Sequence, residues 1–378
     1  MKKIVVVTGI RSEYDLLFPV LKKLNKLSEF DLSLVVTGAH LSHNFGYTVK
    51  EIEKDGFEIG AKIENLINTN SFIGKTKSSG ILLSGLAQAF NRLSPDIVMA
   101  LGDREEPLMA AIASNYMNIP FAHIAGGDRT FPEMGNVDEV VRHATTKLSH
   151  LHFTMAQEHT DRIIKLGEES WRVFTVGNPG LDRLSSVPQI TKKELSNRIN
   201  FDITNGPILL VTQHVINLEA KNAAKQMRIT MESLKELKYK ALVSYPNSDA
   251  GSMQIIDVIN EYDKRLNFIK SYKNLSRIEF VNLLRNIDVL LGNASMGILE
   301  APFLNIPAIN IGERQKQRLH ADNVIFVDHK KEQIKQAVQK AIDDEAFKEQ
   351  VKKCRSPYGD GKSSEKIVNI LSEIKIND

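Results

Sequence analysis

The stretch that decides the fold runs from Asp96 to His143: DIVMALGDREEP (96–107), IPFAHIAGGD (119–128) and GNVDEVVRH (135–143). Its two short apolar runs, Ile97–Leu101 and Pro120–Ile124, stop at glycine and charged residues, which is how a buried strand of a parallel sheet ends. In an open α/β sheet the carboxyl ends of neighbouring strands share one crevice. Asp103 and Arg104 after the first run, and Asp128 and Arg129 after the second, are expected to converge there. Asp138, Glu139, Arg142 and His143 follow at helical spacing, and Gly126 and Gly127 let a ligand approach the backbone. Carboxylates, arginines and histidines concentrated in this way suit proton transfer. The plainer reading is that Asp103 and Asp128 cap the helices after their strands. Three acids beyond two strand ends weigh against it for the group as a whole.

Outward from this stretch, strand-like runs alternate with helical patterns. The first are Ile4–Val7, a helix over Leu16–Leu27, Leu32–Val36, a helix near Thr48–Lys54 and a long helix through Ser79–Leu93. After the two central strands come a helix near Val137–Ser149, a strand at Leu151–Phe153, a helix at His159–Leu166 and a strand at Val173–Val176. Such alternation predicts βαβ units and a parallel sheet with helices on both faces. Ser185–Thr191 reads as a linker, after which the pattern restarts with strands at Ile208–Val211, Ala241–Val243, Asn267–Ile269, Val289–Leu291, Ala308–Ile311 and Val324–Val327. The helices between them are expected at Glu219–Leu237, Met253–Tyr262, Arg277–Arg285 and Met296–Phe303, with tail helices at Lys331–Ile342, Phe347–Cys354 and Ser364–Ile374. The expected division is residues 1–184, residues 185–355, and a terminal segment 356–378 packing back on the first domain.

A chain of 378 residues with 42% hydrophobic and 25% charged residues is long enough for two globular cores. The net charge of +3 is small and spread out, so neither nucleic acid nor an anionic membrane is demanded as partner. The opening MKKIVVVTG is too short an apolar run for a secretory signal, no run reaches the roughly 20 residues of a membrane span, and the lone Cys354 excludes an internal disulfide. A cytoplasmic protein is expected.

Two anion sites are legible. The turn Thr8-Gly9-Ile10-Arg11 leaves a strand and enters a helix, where N–H groups and the dipole favour an anion, so Arg11 either holds a phosphate or is an ordinary surface arginine. With one glycine it is not GxGxxG, and no GxxxxGK[ST] occurs, so neither a dinucleotide cofactor nor an ATP loop is supported. The second is Gly292-Asn293-Ala294-Ser295-Met296-Gly297-Ile298-Leu299-Glu300, where small residues and the Ser295 hydroxyl can approach a diphosphate and Glu300 can accept two ribose hydroxyls. The plainer reading there is a helix packed tightly on its sheet. Arg314, Lys316 and Arg318 follow another strand end, and His214 follows the strand Ile208–Val211. His40/His43 and His150/His152 lack a partner at metal-ligand spacing, so no metal is expected.

Together these pieces resemble the UDP-N-acetylglucosamine 2-epimerase family over essentially the whole chain. The resemblance rests on GIRSEYD, TGAHL (37–41), LGDR (101–104), HIAGGD, VDEVVRH, GNASMGILEAP, NIGERQKQR and SPYGDGKSSEKI (356–367). It implies two Rossmann-like domains facing a cleft, as in glycosyltransferase-B-like enzymes, the first carrying the catalytic acids and the second the nucleotide. GGD followed by NVDEVVRHATTKLSH is similar to the hydrolysing branch, which releases UDP and a free 2-epimerised sugar for sialic- or legionaminic-type acid synthesis. The sugar C2 proton is not acidic, so the implied reaction eliminates UDP as that proton leaves, giving a glycal to which water adds. No metal, redox or other cofactor is required. Carried over by position, Asp103 and Asp138 match catalytic acids, and Arg11, His214, Ser295, Glu300 and Arg314 match nucleotide contacts. His214 is placed among the catalytic residues, and His40, Arg104, Arg142, Gly292, Asn293, Gly297 and Arg318 among those binding substrate or nucleotide. Where several hydrolysing relatives have Glu before the glycine pair this chain has Ala125, and Asp128 is the nearest substitute. The expected substrate is UDP-N-acetylglucosamine or a UDP-2,4-diacetamido-2,4,6-trideoxyhexose, turned over by a homodimer or homotetramer. Competing readings are a non-hydrolysing epimerase, a glycosyltransferase of the same fold, or an inactive nucleotide-sugar sensor.

Overall fold

The run Ile4–Val7 is apolar and almost entirely β-branched, and its side chains are 0–2% exposed, the mark of a strand covered on both faces. A computed structural model describes residues 1–67, 71–129, 137–246 and 251–375 of the chain. Gly135 and Asn136 of the GNVDEVVRH motif lie outside them. The described chain divides into two compact units, one of residues 1–67, 71–129, 137–185 and 358–375, the other of residues 186–246 and 251–357.

The first unit contains β1 (Lys2–Thr8), α1 (Arg11–Leu24), β2 (Phe30–Thr37), α2 (Val49–Asp55), β3 (Ile59–Ile63), α3 (Phe72–Leu93), β4 (Ile97–Leu101), α4 (Glu105–Tyr116), β5 (Phe121–Ile124), α5 (Val137–Lys147), β6 (Leu151–Thr154), α6 (Gln157–Lys165), β7 (Val173–Thr175) and α7 (Pro179–Ser186). Its strands, all parallel, lie in the order β3-β2-β1-β4-β5-β6-β7. The chain builds outward from β1 to β3, then crosses back to lay β4 on the other side of β1. The loops after β1 and β4 therefore diverge to opposite faces and leave a crevice between them.

The second unit repeats this plan with α8 (Lys192–Ile199), β8 (Ile208–Thr212), α9 (Ala223–Leu237), β9 (Lys240–Ser244), α10 (Ser252–Arg265), β10 (Ile269–Tyr272), α11 (Arg277–Leu284), β11 (Val289–Gly292), α12 (Met296–Leu299), β12 (Ala308–Ile311), β13 (Val324–Val327), α13 (Lys331–Asp343) and α14 (Glu345–Lys353). The order β10-β9-β8-β11-β12-β13 puts the equivalent crevice between β8 and β11. Each unit is thus a Rossmann-like domain.

The final helix, α15 (Ser363–Glu373), belongs to the first domain and packs on α1. Its own N-cap, Lys362, makes no side-chain cap. Asp182 takes that role from α7, accepting the Ser363 N–H at 3.0 Å and the Ser364 N–H at 2.7 Å. At the other end Lys2 Nζ donates to the carbonyls of Leu371, Ser372 and Ile374 at 2.7, 2.9 and 2.6 Å.

Several elements depart from the sequence reading, among them α7, since no helix was expected at Pro179–Ser186. No strand was expected at Ile59–Ile63, because this sheet-edge segment is only partly buried and IGAKI shows no apolar run. No helix was expected at Lys192–Ile199, where Leu195 is the one buried residue, and its start is set by Thr191 Oγ1 accepting the Glu194 N–H at 3.1 Å.

Candidate functional site

In the first domain the site grows from the ends of β1, β4 and β5. Asp103 does not cap α4, whose N-cap is Arg104 and carries no side-chain cap. Its carboxylate is held instead by Arg142 of α5. Arg142 also binds Glu139, one turn earlier on α5, and donates to the Asp128 carbonyl at 3.1 Å. Glu139 Oε1 in turn lies 3.0 Å from His143 Nε2. One buried guanidinium thus ties the end of β4, the loop after β5 and the first turns of α5 together, which only a planar fork of donors can do. Arg142, expected to bind substrate, is buried with its guanidinium on these three groups.

Asp138 lies on the same helix, half-buried, with its proton held above the usual carboxylic range, first by burial and then by the nearby negative charge of Asp103. The two acids therefore sit in unlike surroundings: Asp103 is paired with the Arg142 guanidinium, while burial holds the proton of Asp138. Unlike surroundings of this sort divide a base from an acid.

Two other expected residues are turned inward. Asp128 is 5% exposed, with Oδ1 accepting the Arg129 N–H at 2.7 Å and lying 3.5 Å from His159 Nε2. Asp128, expected as an acid–base group, thus faces the loop backbone and His159. His40 is fully buried, with Nε2 3.1 Å from Thr8 Oγ1 and Nδ1 2.7 Å from Thr48 Oγ1. His40, expected to contact the ligand, thus faces hydroxyls of β1 and of the turn before α2 with its two ring nitrogens. Burial lowers its pKa to about 4, which keeps the ring neutral. Arg11 opens α1 with Nε 3.3 Å from Glu51 and 3.8 Å from Asp15. Arg104 reaches Glu106 at 3.3 Å and Glu13 and Glu105 at 3.8 Å each.

The second domain assembles its own set at β8 and β11. Gly292, with φ +132°, has Thr212 O where a Cβ would stand, 2.0 Å away, so only glycine closes this turn. Asn293 then binds the His214 backbone from both sides, accepting its N–H at 2.7 Å and donating to its carbonyl at 2.9 Å. The Asn293 carbonyl accepts Arg314 at 3.1 Å and Gln315 at 2.9 Å, and Gln315 accepts Arg318 at 2.8 Å. His214, Asn293, Arg314 and Arg318 are therefore one connected group, with Asn293 its brace. Burial, then the Arg314 charge, lowers the His214 pKa to about 3, so the imidazole is neutral. Ser295 is half-buried and makes no cap for α12. Gly297, expected at a diphosphate, has Ala308 and Leu290 of the sheet 3.3 and 3.7 Å from where a Cβ would stand. Glu300 is 8% exposed at the junction where α12 gives way to a short 3-10 turn.

The sequence reading missed Glu13, Glu106 and Gln315, all buried against the groups just described. Glu13 and Glu106 stood in quoted motifs but carry no spacing signal of their own, since only the β1/β4 juxtaposition brings them together. Among the described residues no group of three or more His, Cys, Asp or Glu could hold a metal ion. No described helix is long and apolar enough to cross a membrane.

The pattern for UDP-N-acetylglucosamine 2-epimerase matches residues 22–372. The chain belongs to the UDP-N-acetylglucosamine 2-epimerase family. Among its relatives in that family is the UDP-N,N'-diacetylbacillosamine 2-epimerase (hydrolyzing) of Legionella pneumophila, 37% identical over 100% of this chain and 97% of that protein. The GDP/UDP-N,N'-diacetylbacillosamine 2-epimerase (hydrolyzing) of Campylobacter jejuni is 35% identical over 86% of this chain and 84% of that one. In fold, the UDP-GlcNAc 2-epimerase of Neisseria meningitidis bound to UDP-GlcNAc superimposes with a TM-score of 0.82 at 21% identity, over 98% of this chain and 100% of that one. The family's epimerases thus share the doubled Rossmann-like architecture found here.

Proposed function

We propose that this epimerase-family protein is a hydrolysing nucleotide-sugar 2-epimerase acting on UDP-N,N'-diacetylbacillosamine, a UDP-2,4-diacetamido-2,4,6-trideoxyhexose, to release UDP and the free 2-epimer. The observation that carries the reaction is the contrast between Asp103, clamped by Arg142, and Asp138, whose proton is held by burial. Elimination needs such a pair: a base takes the C2 proton as the anomeric C–O bond to UDP breaks, and an acid returns a proton to C2 from the other face while water adds at C1. Asp103 fits the base and Asp138 the acid. In the second domain the His214, Ser295, Arg314 and Arg318 group suits the departing diphosphate, with Glu300 for the ribose. The names of the relatives at 37% and 35% identity support the diacetamido sugar over UDP-N-acetylglucosamine.

The test is proton NMR of the purified protein in deuterated buffer with each UDP-sugar in turn. We expect UDP and free 2-epimer carrying deuterium at C2, with the diacetamido substrate favoured in kcat/KM by at least about tenfold. A mixture of UDP-linked epimers would show a non-hydrolysing enzyme. Preference for UDP-N-acetylglucosamine would overturn the substrate assignment.

A further inference from the structure

Beneath the crevice of the first domain lie two carboxylates that the proposed chemistry does not use. Glu13 comes from the first turn of α1 and Glu106 from the first turn of α4, and their side chains are only 9% and 3% exposed. Both meet the Nε of Arg104, Glu106 through Oε2 at 3.3 Å and Glu13 through Oε1 at 3.8 Å. Both also meet Gly9: its N–H is 3.5 Å from Glu13 Oε2, and a Cβ there would fall 2.2 Å from Glu106 Oε1. The missing side chain at position 9 is what lets the Glu106 carboxylate lie against this turn. Two buried acids thus converge on one guanidinium, and Glu13 Oε1 has no hydrogen-bond partner among the described residues. Two full negative charges against one positive would leave a buried excess charge beside Asp103, which burial opposes strongly.

We propose that Glu13 and Glu106 form a proton-holding carboxyl pair with its single proton on Glu13, and that the charge left on Glu106 holds the Arg104 guanidinium in the loop that carries Asp103. The choice between the two follows from contact: Glu106 makes the hydrogen bond to Arg104, whereas Glu13 stands farther off. Burial and the Glu106 charge push the Glu13 carboxyl well above its usual range, while Arg104 opposes the same push on Glu106. The charged groups that act on the pair are Asp103, Arg104 and Glu105, all after β4. Among them Arg104 alone touches both carboxylates. Loss of the Glu13 proton adds a second negative charge that competes with Glu106 for Arg104 and repels Asp103. Both glutamates are then positioning residues for the reaction at Asp103, an assignment that rests on the proposed epimerase reading.

The experiment combines carboxyl-¹³C NMR of the glutamate-labelled full chain with the pH dependence of kcat/KM. One glutamate resonance is expected to keep the neutral-acid position at about pH 7 and to vanish in Glu13→Gln. Glu13→Gln should lower kcat/KM about threefold at neutral pH yet abolish its fall at alkaline pH, and Glu106→Gln should lower it at least about thirtyfold. A merely structural pair would leave the shape of the pH profile unchanged, and that result overturns the proposal. So does a wild-type spectrum without a neutral glutamate, a measurement that requires no variant to fold. A neutral glutamate in a protein that fails to turn over either sugar nucleotide supports the pair and removes only the reaction attached to it.

Discussion

Arg142 shows how one residue can tie distant segments together. Its guanidinium reaches Asp103, Glu139 and the Asp128 carbonyl, three groups from three separate segments. A lysine would keep the charge but has no planar fork with which to bridge them. Arg142→Lys is therefore expected to lower kcat/KM about a hundredfold while changing the affinity for UDP less than about threefold. Steady-state kinetics and titration calorimetry check the two halves, and an equal loss in both would place Arg142 in the nucleotide site after all. Ala125 raises the opposite question, because it sits at φ +68° where a Cβ is disfavoured. Asp103 and Asp138 were legible as candidates from their position after a strand end and on a helix. That Arg142 serves Asp103 was not, because 39 residues separate the pair in sequence.

At the scale of elements, the last helix shows a terminus closed by a distant residue. Asp182 accepts two N–H groups at the start of α15 and the Ser364 hydroxyl, while Lys2 closes the other end. Asp182→Ala leaves those buried donors without their acceptor, at a cost of about 1–2 kcal/mol. A lower denaturant midpoint with an unchanged slope, together with faster hydrogen exchange confined to α15, is the expected result. Unaltered exchange in that helix would show that packing on α1 alone holds it. The strands Ile97–Leu101 and Phe121–Ile124 were readable from sequence because burial on both faces makes them continuous apolar runs. The edge strand Ile59–Ile63 and the polar helix Lys192–Ile199 were not, since neither buries enough to leave a pattern.

At the scale of the molecule, burial of neutral histidines links stability to pH. Desolvation lowers His40 and His123 to about 4 and His152 to about 3, and His214 likewise to about 3. Each folded value lies below the unfolded value near 6.5, so the unfolded chain takes up protons first as the pH falls. The stability these rings contribute is complete above about pH 6.5 and is lost as the pH drops towards their folded values. The denaturant midpoint should hold level from about pH 8 to about pH 7 and decline by about pH 5, with the four rings still neutral there by ¹⁵N NMR. Protonated signals from these rings in the folded protein at about pH 5.5 would contradict the buried neutral state.

Local pattern was enough to establish a doubled, parallel α/β chain and the family, because strand burial and strand-end glycines are written in contiguous residues. The pairing of those loops was decided only by tertiary structure. Glu13 and Glu106 lie 93 positions apart and meet because β4 is laid beside β1, and Asn293 braces His214 across 79 residues because β11 is laid beside β8. Hydrogen bonds, shared protons and the turning inward of His40 and Asp128 depend on which surfaces are brought together. That is a property of chain crossover and packing, which no local spacing encodes.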